Sequence, residues 1–179
     1  MFTQENTGLI IVDVQGKLAH IVQESEKLIA NLEKIIQGCQ LLSLPIIWLE
    51  QNPNGLGHTV SELEKLLRSQ KAIEKYNFNA FENQEFKEAV LKTNRKQWLI
   101  CGIETHICVY QTAMGLFTNN FEVEIVVDCV SSRSKDSIDV ALKKMQQKGI
   151  GLTNVEMCLY ELVKDSRNEN FREILKLIK

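Results

Sequence analysis

The sequence predicts an α/β protein of three layers, with helices on both faces of a doubly wound, mainly parallel six-stranded sheet. Three observations predict it. Continuous apolar runs such as Thr-Gly-Leu-Ile-Ile-Val at 7–12 read as strands buried on both faces, and such strands belong to parallel sheets. Stretches of helical period separate these runs and are long enough for right-handed crossovers. With only two Pro and nine Gly, nothing resembles a linker or a low-complexity tract, so one domain is expected over 1–179.

The elements follow in order. The strand at 7–12 ends at Asp13. A helix is expected over 25–44, because Leu28, Leu32, Ile35, Ile36, Cys39 and Leu42 fall on one stripe, and Pro45 stops it. Ile-Ile-Trp-Leu at 46–49 is the second strand, followed by a loop at 50–57. Ser61-Glu62-Leu63-Glu64 has the form of a capping box opening a short helix. A short third strand is expected within 71–76 and a helix over 83–92, with Phe86, Ala89 and Val90 inward. The fourth strand, 97–101, reaches Gly102, and a helix follows over 105–119. The fifth strand, 123–127, ends at Asp128. Ser134 is the expected cap of a helix to Lys148, with Ile138, Ala141, Leu142 and Met145 inward. A sixth strand covers 149–152, Thr153-Asn154-Val155-Glu156 reads as a second capping box, and a last amphipathic helix runs over 169–178. In such sheets the ligand site lies at the carboxyl ends of the strands, where strand order reverses. Those ends carry Asp13, Glu50 or Gln51, Tyr76 or its neighbours, Gly102-Ile103-Glu104 and Asp128.

Composition excludes several function classes. With 21 Lys and Arg against 23 Asp and Glu, the formal net charge is −2, which argues against a basic nucleic-acid domain. No apolar run approaches the ~20 residues of a membrane span. The first residues, Met-Phe-Thr-Gln-Glu-Asn-Thr, carry no basic segment and read as no signal peptide. Five Cys, at 39, 101, 108, 129 and 158, and three scattered His, at 20, 58 and 106, fit neither a disulfide framework nor a zinc site. Reduced thiols in the cytoplasm, no metal and no cofactor are expected.

Cys108 lies in Cys-Gly-Ile-Glu-Thr-His-Ile-Cys-Val, a strand end, a glycine turn and a helix start. Unpaired N–H groups and the helix dipole there lower a thiol pKa and favour a nucleophilic thiolate. The opposing reading is a buried, inert thiol, which suits Cys39, Cys101, Cys129 and Cys158; for Cys108 the residues alone leave the two readings even. Asp13 is either a turn cap or a carboxylate pointed into the site. Lys75 is an ordinary surface charge unless its strand end adjoins the site. No Gly-x-Gly-x-x-Gly, Walker A or Gly-x-Ser-x-Gly segment occurs.

Asp13 in Ile-Ile-Val-Asp-Val-Gln, Lys75 in Glu-Lys-Tyr-Asn-Phe-Asn-Ala-Phe and Cys108 in its segment together resemble the isochorismatase-like cysteine hydrolase family. Nicotinamidases and N-carbamoylsarcosine amidohydrolases belong to it. The resemblance covers nearly the whole chain and implies that family's fold. It implies Cys108 as nucleophile, Asp13 as acceptor of its proton and Lys75 as the cation that orients and balances the pair. It also implies a cis peptide at Ile103–Glu104, with the N–H groups of Glu104 and Cys108 forming an oxyanion hole. The expected reaction is hydrolysis of an amide, imide or ester-like bond of a small molecule through a thioester. The metal-binding Asp-x-His of nicotinamidases is replaced by Glu-Gln-Asn-Pro-Asn-Gly-Leu-Gly-His at 50–58, with a single His. That stretch and Ser-Ser-Arg-Ser at 131–134 are similar to the isochorismatase domain-containing subgroup.

Gln15, Trp48, Gln51, Asn52, Tyr76, Asn77, Phe78 and Phe81, with Ile103, are the expected pocket lining, although Trp48, Phe78 and Phe81 read equally well as core or interface residues. Glu104 and His106 flank the nucleophile, facing either substrate or a subunit interface. Ser131-Ser132-Arg133-Ser134 reads as a loop and cap, or else Arg133 reaches the site or a neighbouring subunit. The resemblance implies a homo-oligomer, dimer or tetramer, for which Met114, Leu116, Phe117 and Phe121 offer a surface or else belong to the core. A non-catalytic interaction or regulatory protein on the same fold is the alternative function, and nucleic-acid processing a third.

Overall fold

The computed structural model describes residues 1–179. Six strands form one sheet in the order β3-β2-β1-β4-β5-β6, every neighbouring pair parallel. They are β1 (Thr7–Val12), β2 (Ile46–Gln51), β3 (Ile73–Lys75), β4 (Gln97–Ile103), β5 (Glu122–Ser131) and β6 (Gly151–Thr153). Helices α1 (Leu18–Ile21) and α2 (Ser25–Leu41) follow β1, and α3 (Pro53–Leu56) and α4 (Ser61–Leu67) follow β2. Then come α5 (Gln84–Lys92), α6 (Tyr110–Thr118), α7 (Lys135–Gln147), α8 (Val155–Val163) and α9 (Phe171–Ile178).

Alternation along each strand divides the core between the two faces. Leu9, Ile11, Trp48 and Cys101 pack against α2, α4, α8 and α9. Ile10, Val12, Leu49 and Ile73 pack against α5, α6 and α7. All six residues of the predicted stripe on α2 are buried. The helix nevertheless stops at Leu41, because Leu42 caps it and Ser43 takes a left-handed φ of 56° before Pro45 is reached.

Several local expectations are corrected. Val60, not Ser61, is the N-cap of α4, and no side chain caps it. Asn154, not Thr153, caps α8, its side chain accepting from the Met157 N–H. Ser134 stands at the N-cap of α7 but makes no side-chain cap bond. β5 runs on to Ser131, because a register shift between Ile100 and Gly102 lets its second half pair with Gly102 and Ile103. Asp128 therefore lies inside the strand, where its Oδ1 accepts from the Val155 N–H at the start of α8. The helix expected over 105–119 is two pieces, a π-helical turn over Thr105–Val109 and then α6. Of the two readings open for Leu116 and Phe121, subunit surface or core, the structure selects the core.

Gly102 shows how tightly β1 and β4 meet. Its φ is 116°, and an added Cβ would lie 2.1 Å from the Val12 carbonyl oxygen. Both the backbone conformation and the space exclude a side chain. Gly102→Ala is expected to cost about 3 kcal/mol or more from strain and overpacking, measured by denaturant unfolding. A loss under ~1 kcal/mol would show that β1 moves aside at little cost.

Candidate active site

Strand order reverses between β1 and β4, and the predicted site residues gather at the carboxyl ends around that point. Asp13 follows β1 with a left-handed φ of 52°, which takes its side chain out of the strand's alternation. Lys75 ends β3, and Cys108 sits in the π-helical turn after β4. Their exposures are 3% for Asp13, 0% for Lys75 and 7% for Cys108.

The Lys75 ammonium donates to Asp13 Oδ2 at 2.7 Å, to Gln51 Oε1 at 2.7 Å and to the Asn77 carbonyl at 3.3 Å. All three of its hydrogens are thus used inside the protein. The other Asp13 oxygen, Oδ1, is buried without a hydrogen-bond partner. Burial pushes the Asp13 carboxyl above its ordinary pKa, against the opposing pull of Lys75. Burial also pushes the Cys108 thiol up to about 12, with the Asp13 charge adding to the rise and Lys75 opposing it. The thiol is therefore protonated at rest, a correction to the lowered value expected from a helix start. Removal from water and an adjacent carboxylate both disfavour the thiolate, and together they outweigh the helix terminus.

The remaining predicted residues divide. Gln51 touches Lys75 directly. Asn52 joins β2 to β3 through its N–H, which donates to the Lys75 carbonyl at 3.0 Å. Tyr76 and Phe78 are exposed beside Lys75. Gln15 is fully buried, and its amide is spent within the chain. Its nitrogen donates to the Gln51 and Gly57 carbonyls and its oxygen accepts from the Gln51 N–H at 2.6 Å. Trp48 lies in the core on the opposite sheet face from Cys108, because the two-residue period groups it with Ile46. The Ile103 side chain is in that same core, while its peptide bond to Glu104 is cis. Phe81 packs edge-on against Phe86 and Phe121, with centroids at 6.5 and 5.9 Å, and so belongs to the core below the site.

Three arrangements were not foreseen from the sequence. Glu50 Oε1 accepts from the N–H and hydroxyl of Thr59, and its Oε2 pairs with His58 at 3.1 Å. Burial raises the Glu50 carboxyl, but those bonds outweigh it and hold its pKa below the ordinary value. Glu104, flanking the nucleophile, accepts from the backbone N–H and Nε of Arg133. His106 bonds the Ser132 hydroxyl at 2.9 Å and lines, with Tyr110, a cavity of about 390 Å³ against α7. The partners of His106 and Glu104 lie 26 and 29 residues on in sequence, and those of Glu50 lie just past the loop after β2, where no local pattern reports them.

A model of the isochorismatase domain matches residues 7–157. Isochorismatase domain-containing protein 2 of Danio rerio is 36% identical over 172 residues, covering 95% of this chain and 85% of its own. The MAR1 ribonuclease of Caenorhabditis elegans superposes with a TM-score of 0.92 at 35% identity, over 99% of this chain and 91% of that one. The YcaC gene product of Escherichia coli, described as an octameric hydrolase of unknown specificity, gives a TM-score of 0.93 at 26% identity, over 99% and 88%. The helices of this chain are none of them long and apolar enough to cross a membrane. With the family model matched from β1 into α8, the chain belongs to the isochorismatase family.

Proposed function

We propose that the chain is a cysteine hydrolase that cleaves an amide, imide or ester-like bond of a small molecule. The observation that carries this reading is the buried Asp13–Lys75 pair at 2.7 Å, set beside the Cys108 thiol with Asp13 Oδ1 free. A buried carboxylate with an unused oxygen next to a protonated thiol suits a general base that acts when substrate arrives.

The reaction then runs in two halves. Asp13 takes the Cys108 proton as sulfur attacks the substrate carbonyl carbon and forms the C–S bond. The oxyanion is held by the N–H groups of Glu104 and Cys108, each such donor contributing about 3–4 kcal/mol. The C–N or C–O bond breaks, and the leaving group departs with the proton from Asp13. Water attacks the thioester and gives a proton to Asp13, the acid departs, and that proton returns to sulfur. Lys75 opposes the rise that burial imposes on the Asp13 carboxyl. Tyr76 and Phe78, exposed on the segment after Lys75, suit contact with a flat, weakly polar substrate. We further place the chain in the cytoplasm and infer that its copies associate. The octameric state of YcaC supports association, as do exposed Phe117 and Val140 on α6 and α7.

The test is a panel of small amides and esters, with the acyl-enzyme trapped by acid quench and weighed by mass spectrometry. Cys108→Ser should lose both turnover and the thioester mass. Turnover unchanged in that variant would sink the cysteine mechanism.

The likeness to the MAR1 ribonuclease favours a second reading, RNA hydrolysis, in which Asp13 deprotonates a ribose hydroxyl. The near-complete burial of Asp13 and Lys75 and the net charge of −2 fit a polymer poorly. RNA cleavage that survives Cys108→Ser and is lost in Asp13→Asn would select it.

A further inference from the structure

We propose that Gln51 is a positioning residue for this site: its neutral carbonyl oxygen fixes the Lys75 ammonium against Asp13 without dividing the lysine's charge between two anions. This rests on Asp13, Lys75 and Cys108 acting as one site.

Register supplies the first argument. Gln51 and Lys75 are Cα partners on the parallel strands β2 and β3, so their side chains stand side by side on one face. That is the face carrying Leu49, Ile73 and Cys108. The second argument is that the amide's orientation has a single solution. An ammonium only donates and a carbonyl only accepts. Gln51 Oε1 must therefore face Lys75 at 2.7 Å, and its Nε2 must face the Tyr76 carbonyl at 2.8 Å. A rotated amide would set donor against donor and acceptor against acceptor. The third argument is that the backbone of Gln51 is itself clamped. The buried Gln15 amide holds both its N–H and its carbonyl, and ties them to Gly57 of the following loop. A chain of bonds thus runs from Gln15 through Gln51 to the ammonium.

The chemistry explains why an amide suits this position. The charged and titratable groups acting on Asp13 are Lys75, Cys108 and Glu50, and those acting on Cys108 are Asp13 and Lys75. Lys75 is the one cation among them. A carboxylate at position 51 would hold it equally well but would draw it from Asp13 and add a second negative charge near the thiol. An apolar side chain would leave one buried N–H of the ammonium without an acceptor.

The test reads iodoacetamide labelling across pH 6 to 9, assigned to Cys108 by peptide mass spectrometry because all five cysteines are buried. Gln51→Glu should displace the rate profile to the alkaline side by about one unit, roughly ten-fold slower labelling at a given pH. Gln51→Met should slow labelling several-fold in the wild-type background and have no further effect in Lys75→Met, because Gln51 acts through that lysine. A Gln51→Glu profile that coincides with wild type, or a further loss from Gln51→Met when Lys75 is already gone, overturns the proposal. Asp13→Asn is run beside them. If it moves the profile while Gln51→Glu does not, positioning fails and the site reading stands. If neither moves it, the site reading itself fails. Should Gln51→Met not fold, Gln51→Glu alone decides.

Discussion

Replacing Lys75 by methionine is expected to destabilise the protein by about 3–5 kcal/mol, the usual cost of stranding one member of a buried ion pair. Lys75 is fully buried and Asp13 nearly so, so removing the ammonium leaves a carboxylate with neither water nor a counter-charge. The double variant Asp13→Asn, Lys75→Met should recover much of that loss, since no uncompensated charge remains. The deficit also depends on pH, and its sign follows from Asp13. Its folded-state pKa lies above the unfolded value, chiefly because of burial. The stability tied to its protonated form is therefore complete below the ordinary carboxylate range and is lost as pH rises through the folded-state value. Losing Lys75 raises that value further. The deficit of Lys75→Met should thus be small near pH 4 and large near pH 7.5, as read from urea unfolding at both. Equal deficits at the two pH values would mean that Asp13 is neutral throughout and that no ion pair exists.

Asp13→Asn should separate thiol reactivity from catalysis. Burial and then the Asp13 charge raise the Cys108 thiol to about 12, and Lys75 opposes them. With Asp13 neutral and Lys75 retained, the thiolate gains. Iodoacetamide should then label Cys108 at pH 7 about ten-fold faster for each unit by which its pKa falls. Hydrolysis of small amides or esters should disappear in the same variant, because nothing receives the thiol proton at the moment of attack. The measurement is the labelling rate at Cys108 against pH, paired with turnover. Slower labelling in Asp13→Asn would show that the carboxylate activates the thiol even without substrate.

The centre of the sheet was legible in the chain because strands buried on both faces, such as β1, are written as short unbroken apolar runs, told from buried helices by their length and flanking breakers. Helix ends were less so. Ser61 and Thr153 each opened a plausible capping box, yet Val60 and Asn154 hold the cap positions. A cap is settled by which residue the preceding backbone turns at, and several polar neighbours offer the same composition. Within the site, Asp13, Lys75 and Cys108 were picked out by strand-end position and resemblance, and the structure brings them together. Trp48 shows a signal that was present and unread: the same period of two that marks β2 as a strand puts Trp48 on the face away from Gln51. The bonds of Glu50 to Thr59, Glu104 to Arg133 and Gln15 to Gln51 had no such signal, since each depends on how a loop returns to the sheet.

The division of the core by the sheet also governs what peroxide does to this molecule. Cys39, Cys101, Cys129 and Cys158 lie on one face and Cys108 on the other. A sulfenic acid at Cys108 has no resolving thiol within the same chain, because the sheet stands between it and all four candidates. Its recovery depends on a thiol supplied from outside, and under sustained oxidant the next step is the irreversible sulfinic acid. The arrangement that shelters four cysteines from chemistry leaves the fifth without an internal means of repair.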